Sequence, residues 1–403
     1  MQPFDEAAPN EEPGLDGFNG LDGRPDVVCL SHLRWDFVYQ RPQHLMSRFA
    51  RHRRVFFFEE PIWDEGPARL ELSDRPEGVQ VAVPHLPHGL SPEAAEEAQR
   101  DLLHELLEDQ GVTDYVLWYY TPMALGFSSE LAPAAVVYDC MDELSLFRGA
   151  PPALVERESR LLALADLVFT GGQSLYEAKR DRHPAVHAFP SSIEAGHFGR
   201  ARAPQPEPAD QADIPRPRLG YFGVIDERID LDLLAGLADL RPDWHLVMVG
   251  PVVKIDPGSL PRRANLHYLG KKDYAELPVY LAGWDVALMP FADNESTRFI
   301  SPTKTPEYLA GGRPVVSTPV RDVVRPYGEL ELVEIAAEAS AFAAAVERAL
   351  ARHGELGTER ESWLARVDEL LSRGSWSRTW EQMSDLIDAA VESRRGGRRL
   401  RPV

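Results

Sequence analysis

Short apolar runs alternate with helical segments twice along this chain, and a proline-rich stretch divides the two series. Asp26-Val27-Val28-Cys29-Leu30-Ser31, Val136-Val137-Tyr138 and Leu167-Val168-Phe169-Thr170 belong to the first series. Arg218 to Val224, Trp244 to Val249 and Val286-Ala287-Leu288-Met289-Pro290 belong to the second. These runs lack the polar alternation of a half-solvated strand, so they suit parallel sheets covered by helices on both faces. Between them, Pro204, Pro206, Pro208, Pro215 and Pro217 remove backbone donors and make a stiff, poorly helical joint. The order predicts an α/β protein of two Rossmann-like domains with parallel sheets facing a cleft. Its 403 residues allow two real cores.

The expected organisation follows. Residues 1–25 are acidic, Gly/Pro-rich and read as disordered. The first domain spans 26–203, the joint 204–217 and the second domain 218–375. A last helix covers 376–393, and 394–403 form a basic, solvated tail. In the first domain, the loop after the first strand carries Trp35, Gln40 and Arg41, at the edge where open α/β sheets hold ligands. Helical spacing begins at Gln43, strands are expected at Arg54 to Phe58, Val79 to Val83 and Tyr115 to Tyr119, and a helix at Pro92 to Leu107. Between Glu59 and Ser91 no other pattern is recognisable. Asp139, Asp142 and Glu143 close another strand; capping, acid–base chemistry and ligation all suit acids there.

Ser301 to Ser317 reads as a loop, a short helix over Glu307 to Ala310, a Gly311-Gly312 stop and a buried strand. Unpaired amides near Thr303 and Thr305, with Lys304 beside them, favour an anion. Glu307 is placed to accept from sugar hydroxyls. A nucleotide sugar meets both demands, although many α/β proteins contain a similar loop and helix.

Several chemistries are disfavoured. With 43 Lys and Arg against 64 Asp and Glu, the net charge of −21 lacks the basic footprint of a nucleic-acid binder. Cys29 and Cys140 form no CxxC pair, which points to a reducing cytoplasm and away from a metal knuckle. Met1 to Gly23 lacks a leader's apolar core, and no run approaches the roughly 18 apolar residues of a membrane span. GxGxxG, GxxxxGK[ST] and GxSxG are all absent. Asp230-Leu231-Asp232 matches a metal-binding DxD, but at a helix start where acids are expected anyway.

Pro302 to Val316 resembles the donor segment "P-x-K-x-x-E-Y-L-A-x-G-x-P-V-V" of bacterial GT-B glycosyltransferases, and Trp35 with Gln40-Arg41-Pro42-Gln43-His44-Leu45 is similar to first-domain wording of the same group. The likeness is to group 1, family 4-like enzymes of the teichuronic-acid type. It implies a glycosyltransferase moving a hexose from a nucleotide sugar, UDP-linked, to a carbohydrate or lipid-linked acceptor, with retention and no metal or other cofactor. Arg228, Lys304 and Asp142 would be catalytic, with the cations facing the leaving diphosphate. Gly223, Ser301, Thr303, Glu307 and Asn294 would bind donor, and Trp35, Gln40 and Arg41 acceptor. The family's upstream glutamate falls on Phe299 here, which cannot serve. That departure keeps open a UDP-sugar epimerase of the same fold and a catalytically silent nucleotide-sugar binder. The tail arginines would suit an anionic inner membrane surface.

Overall fold

The computed structural model describes residues 23–354 and 357–399. Most of the amino-terminal segment, residues 1–22, and the tail's last residues, 400–403, lie outside the described residues, as do the expectations made for them.

Two sheets carry the molecule. In chain order the first is built from β1 Asp26–Leu30, β2 Val55–Phe58, β3 Ile62–Asp64, β4 Arg69–Asp74, β5 Val79–Pro87, β6 Tyr115–Tyr119, β7 Ala135–Cys140, β8 Leu167–Thr170 and β9 Val186–Ala188. Its order is β3-β5-β2-β1-β6-β7-β8-β9, with β4 antiparallel to β5 and the remaining pairs parallel. The second is built from β10 Arg218–Phe222, β11 His245–Val249, β12 Leu266–Gly270, β13 Val286–Met289, β14 Val315–Ser317 and β15 Val333–Ile335, in the order β12-β11-β10-β13-β14-β15, all parallel. Every residue of β1, β6, β7 and β10 is buried, which explains their continuous apolar runs. β1 and β10 each sit where the strand order reverses, and there loops part to opposite faces and open a crevice.

The sequence reading fails between Glu59 and Ser91. That stretch holds β3, β4 and a β5 that runs on to Pro87. β3 and β4 hold only exposed and half-buried residues, so their apolar signal is weak. β9, short and only half-buried, also escaped the reading. The joint is more ordered than its prolines suggest. A turn of helix, Ala209–Ala212, presents Gln211, whose Oε1 accepts from Trp284 Nε1 at 2.9 Å. Buried Arg218 donates to Ile214 O at 2.6 Å and pairs with Glu207.

Helix Trp376–Arg399 packs on the first sheet's side, where Trp376, Met383, Ile387 and Val391 join a core with Phe49, Val137 and Phe169. The reading of 394–403 as a solvated tail is corrected for its first residues. Arg394 Nε lies 3.0 Å from Asp166, and Arg395 pairs with Asp114. Those partners continue the helix past 393 and engage charge that an anionic surface would otherwise meet. No helix among the described residues is long and apolar enough to cross a membrane.

Candidate functional site

A cleft of about 410 Å³ opens between the carboxyl ends of the two sheets. The first domain contributes the loop after β1, with Trp35 to Arg41, and Asp142 after β7. The second contributes Gly223 and Arg228 after β10, Gly250 after β11, and Ser301, Thr303, Lys304 and Glu307. Of the residues expected at the site, all but Asn294 line this space.

Arg228 is held rigidly. Asp226, 2% exposed, accepts from its Nε at 3.0 and 3.1 Å and from its Nη2 at 2.7 Å. Burial works against the guanidinium charge, and the bonded carboxylate overrides it, so its pKa is raised. Nη1 has no hydrogen bond among the described residues. Phe147 of the first domain lies under both Arg228, 5.6 Å from the ring centre, and Lys254, at 5.2 Å. Asn294 is corrected here. Its Oδ1 accepts from Ser296 N at 3.0 Å and its Nδ2 donates to Glu227 O at 2.9 Å, so it props the Arg228 loop instead of facing donor.

Lys304 begins the helix Lys304–Ala310, earlier than the sequence spacing suggested. Pro306 fits because its missing amide falls in the first turn, where no partner exists. The side chain of Lys304 crosses the end of β10. Gly223 has φ +143°, and a Cβ there would lie 2.1 Å from Lys304 Cε. Glycine is therefore what lets the ammonium reach the loop. Burial lowers the Lys304 pKa while Glu307 pulls it back up. Glu307, one turn on, is pushed up to about 7 by burial, against the pull of Lys304. Asp142, opposite, is also raised by burial, with Arg228 opposing and Asp226 reinforcing the shift. Thr303 enters the helix with no side-chain cap bond.

The acceptor-side expectations divide. Gln40 lines the cleft and precedes helix Arg41–Phe49, its N–H donating to Gln43 Oε1 at 3.1 Å. Trp35 is 5% exposed and stands edge-on to Phe57 at 5.1 Å, so only a margin of it reaches the cleft. Arg41 lines the cleft with its guanidinium already engaged. Its Nε and Nη2 donate to Asp139 at 2.8–3.1 Å and its Nη1 to Phe189 O at 2.7 Å. A guanidinium so engaged is a buried structural ion in the cleft wall. Asp230 of the Asp230-Leu231-Asp232 stretch caps its helix, its Oδ1 accepting from Leu233 N at 2.8 Å.

Phe299, at the position of the family's upstream glutamate, is partly buried against a core of the first domain. It is a contact between the domains. Nearby, Gly172 meets the second domain so closely that a Cβ would lie 2.3 Å from Asp322 Oδ2 and 2.5 Å from Ser301 Cβ. Ser174 N donates to Asp322 Oδ1 at 3.0 Å, and Glu177 pairs with Arg321. At another contact Tyr39 and Tyr274 rings lie 5.2 Å apart, and Tyr274 Oη donates to Glu194 at 3.2 Å. Tyr39, Lys271, Lys272 and Tyr274 line the cleft but were missed. Their place after the carboxyl ends of β1 and β12 was the available signal.

The family profile described as "Glycosyl transferases group 1" matches residues 216–352. A Bacillus subtilis (strain 168) protein, named for teichuronic acid biosynthesis as glycosyltransferase TuaH, is 27% identical over 220 residues. That alignment covers 50% of this chain and 55% of the relative, so the chain matches about half of the relative's length. Sucrose-phosphate synthase from Thermosynechococcus elongatus superposes with a TM-score of 0.68 at 16% identity, over 92% of this chain and 100% of that one. An E. coli trehalose-6-phosphate structure, bound with UDP-2-fluoro glucose, gives 0.64 at 15% identity, over 90% and 99%. The chain thus has the GT-B fold across the described residues, and its stretch 216–352 is similar in sequence to group 1 glycosyl transferases.

Proposed function

We propose that the protein is a glycosyltransferase that moves a hexose from a UDP-sugar to an acceptor hydroxyl, with retention and without a metal. The observation that carries this is the pair of half-buried cations, Arg228 and Lys304, brought to the end of β10 beside Gly223 and facing Asp142 across the cleft. In glycosyl transfer the anomeric carbon becomes oxocarbenium-like while charge builds on the departing diphosphate. Fixed cations aimed at that charge lower the barrier. Glu307 would take the ribose hydroxyls, and Ser301 and Thr303 would add polar contacts. The E. coli neighbour bound with UDP-2-fluoro glucose supports a UDP-linked donor. Calorimetry with UDP-glucose tests the reading: absence of binding by UDP, GDP and ADP sugars alike would sink it.

Because the cations occupy the place of a metal in this account, transfer should keep at least half its rate in excess EDTA. A loss above tenfold, restored by Mg²⁺ or Mn²⁺, would overturn that part. Asp142 favours a second stereochemical reading. A carboxylate with a raised pKa on the acceptor side suits a general base, which an inverting path needs. The anomeric coupling of the product, read by proton NMR, decides between them. An epimerase would instead convert UDP-N-acetylglucosamine with no acceptor present, and a silent binder would leave every donor intact.

Glu307 adds a pH signature. An acid whose folded pKa is raised from 4.5 to about 7 binds more protons when folded. Folding therefore loses stability as pH rises from about 4.5 to about 7. The ionised form is the better acceptor for ribose hydroxyls. UDP-glucose, whose diphosphate does not titrate in that range, should bind more tightly as pH rises through about 7. In Glu307→Gln the profile should be flat; an unchanged slope would remove Glu307 from the donor site.

A further inference from the structure

We propose that a second cavity on the same edge of the first sheet binds neutral sugar residues of an extended acceptor chain. Its place in the reaction rests on the glycosyltransferase reading; its ability to bind sugar does not. The cavity measures about 260 Å³ and opens at the carboxyl ends of β1, β2 and β6, with Glu59, Glu60, Trp63, Gln99, Glu96 and Arg157 among its walls.

Three features point to a neutral saccharide. Trp63, on the edge strand β3, is 42% exposed, and an indole left open at a cavity rim is an unused apolar platform. Around it stand planar polar groups of the kind that bind paired ring hydroxyls: the Glu60 carboxylate and the amide of Gln99, whose Nε2 donates to Ala95 O at 3.1 Å. A pyranose presents that combination, with an apolar C–H face and equatorial hydroxyls. The charge then selects. Glu96 is bound to Arg157 at 2.5 Å, and Glu59 to Arg34 at 2.9 Å. Glu60 is exposed and has no ion pair among the described residues. With the carboxylates of Glu59, Glu60 and Glu96 against Arg157 as the one cation among the wall residues, the cavity repels phosphates and uronates and leaves neutral sugars acceptable.

The cavity adjoins the main cleft. Glu59 Oε1 accepts from Trp35 N at 2.6 Å, so the carboxylate joins the wall of one space to the loop that borders the other. Lys254, from the second domain, lies near enough to act on both Asp142 in the cleft and Glu60 in the second cavity. An acceptor whose reactive end lies at Asp142 would run over this loop toward Trp63. The acceptor would then be an oligosaccharide chain, with this cavity reading a residue behind its end.

Saturation-transfer NMR on the full chain, without nucleotide, tests the inference with maltotetraose, cellotetraose and chitotetraose, and with tetragalacturonate as the anionic counterpart. At least one neutral tetrasaccharide is expected to bind, tetragalacturonate to fail, and Trp63→Ala to weaken binding at least tenfold while Trp63→Phe retains part of it. UDP-glucose affinity should stay unchanged in both variants, which also shows that they fold. If no neutral probe binds, if Trp63→Ala binds as before, or if the anionic probe binds equally, the inference is wrong. If tetrasaccharide binding persists while UDP-glucose neither binds nor reacts, the catalytic reading fails and the sugar site stands.

Discussion

Lys304→Ala and Arg228→Gln are each expected to lower kcat by roughly 10²–10³-fold, the range measured when one preorganised group is removed from a developing oxyanion. The loss should exceed the loss in UDP-glucose affinity, because the diphosphate gains charge as the glycosidic bond breaks. Arg228→Lys should not rescue the reaction. Asp226 aligns the guanidinium through three contacts at 2.7–3.1 Å, and an ammonium cannot reproduce that fork. The double variant should lose less than the product of the single losses, since both groups face one anion. Transfer of sugar from UDP-glucose, assayed by release of UDP, measures all of this. A Lys304→Ala enzyme within threefold of the parent would show that the ammonium is not aimed at the reacting charge.

Asp139→Ala should destabilise the first domain by about 3–5 kcal/mol, the cost of leaving a buried charge without its partner. Arg41 is 1% and Asp139 0% exposed, so water cannot take over the lost contact. Burial opposes the Arg41 charge, and Asp139, with Tyr120 and Cys140 adding to it, raises its pKa in spite of that. A paired replacement, Arg41→Met with Asp139→Leu, should recover most of that loss, because it removes both desolvated ions and keeps the volume. Urea unfolding followed by tryptophan fluorescence gives the comparison. A single variant that loses less than about 1 kcal/mol would show that the site reorganises around the arginine. The same experiment separates this pair from acceptor binding, with which the sequence position of Arg41 had associated it.

Much of the donor half was legible because its signals are local. Gly223 lies next to a strand end that periodicity reveals, Lys304 and Glu307 open a short helix between two such strands, and the carboxyl ends of strands are where α/β sheets bind ligands. Arg41 and Asn294 were misplaced for a different reason. Their partners, Asp139 and Phe189 for one and Glu227 for the other, lie 98, 148 and 67 positions away. Nothing in the chain near Arg41 distinguishes a solvated guanidinium from one locked in a cleft wall. β3 and β4 were missed because both lie beside β5 at the sheet's margin, hold only exposed and half-buried residues and show no continuous apolar run. With them went Trp63 and the second cavity.

What the sequence determined by itself is therefore the layered α/β plan and which segments of the second domain line the cleft. Strand burial on both faces, turn glycines and helix starts are encoded within a few neighbouring residues, and their energies act over the same range. The tertiary structure alone decided which charges remain available. Two sheets had to meet before Phe147 could lie under Arg228 and Lys254 and Phe299 could become a contact between domains, and within the first sheet β7 had to come near the loop after β1 before Arg41 could close on Asp139. Desolvation depends on everything that surrounds a group, and that environment is assembled from segments far apart in the chain.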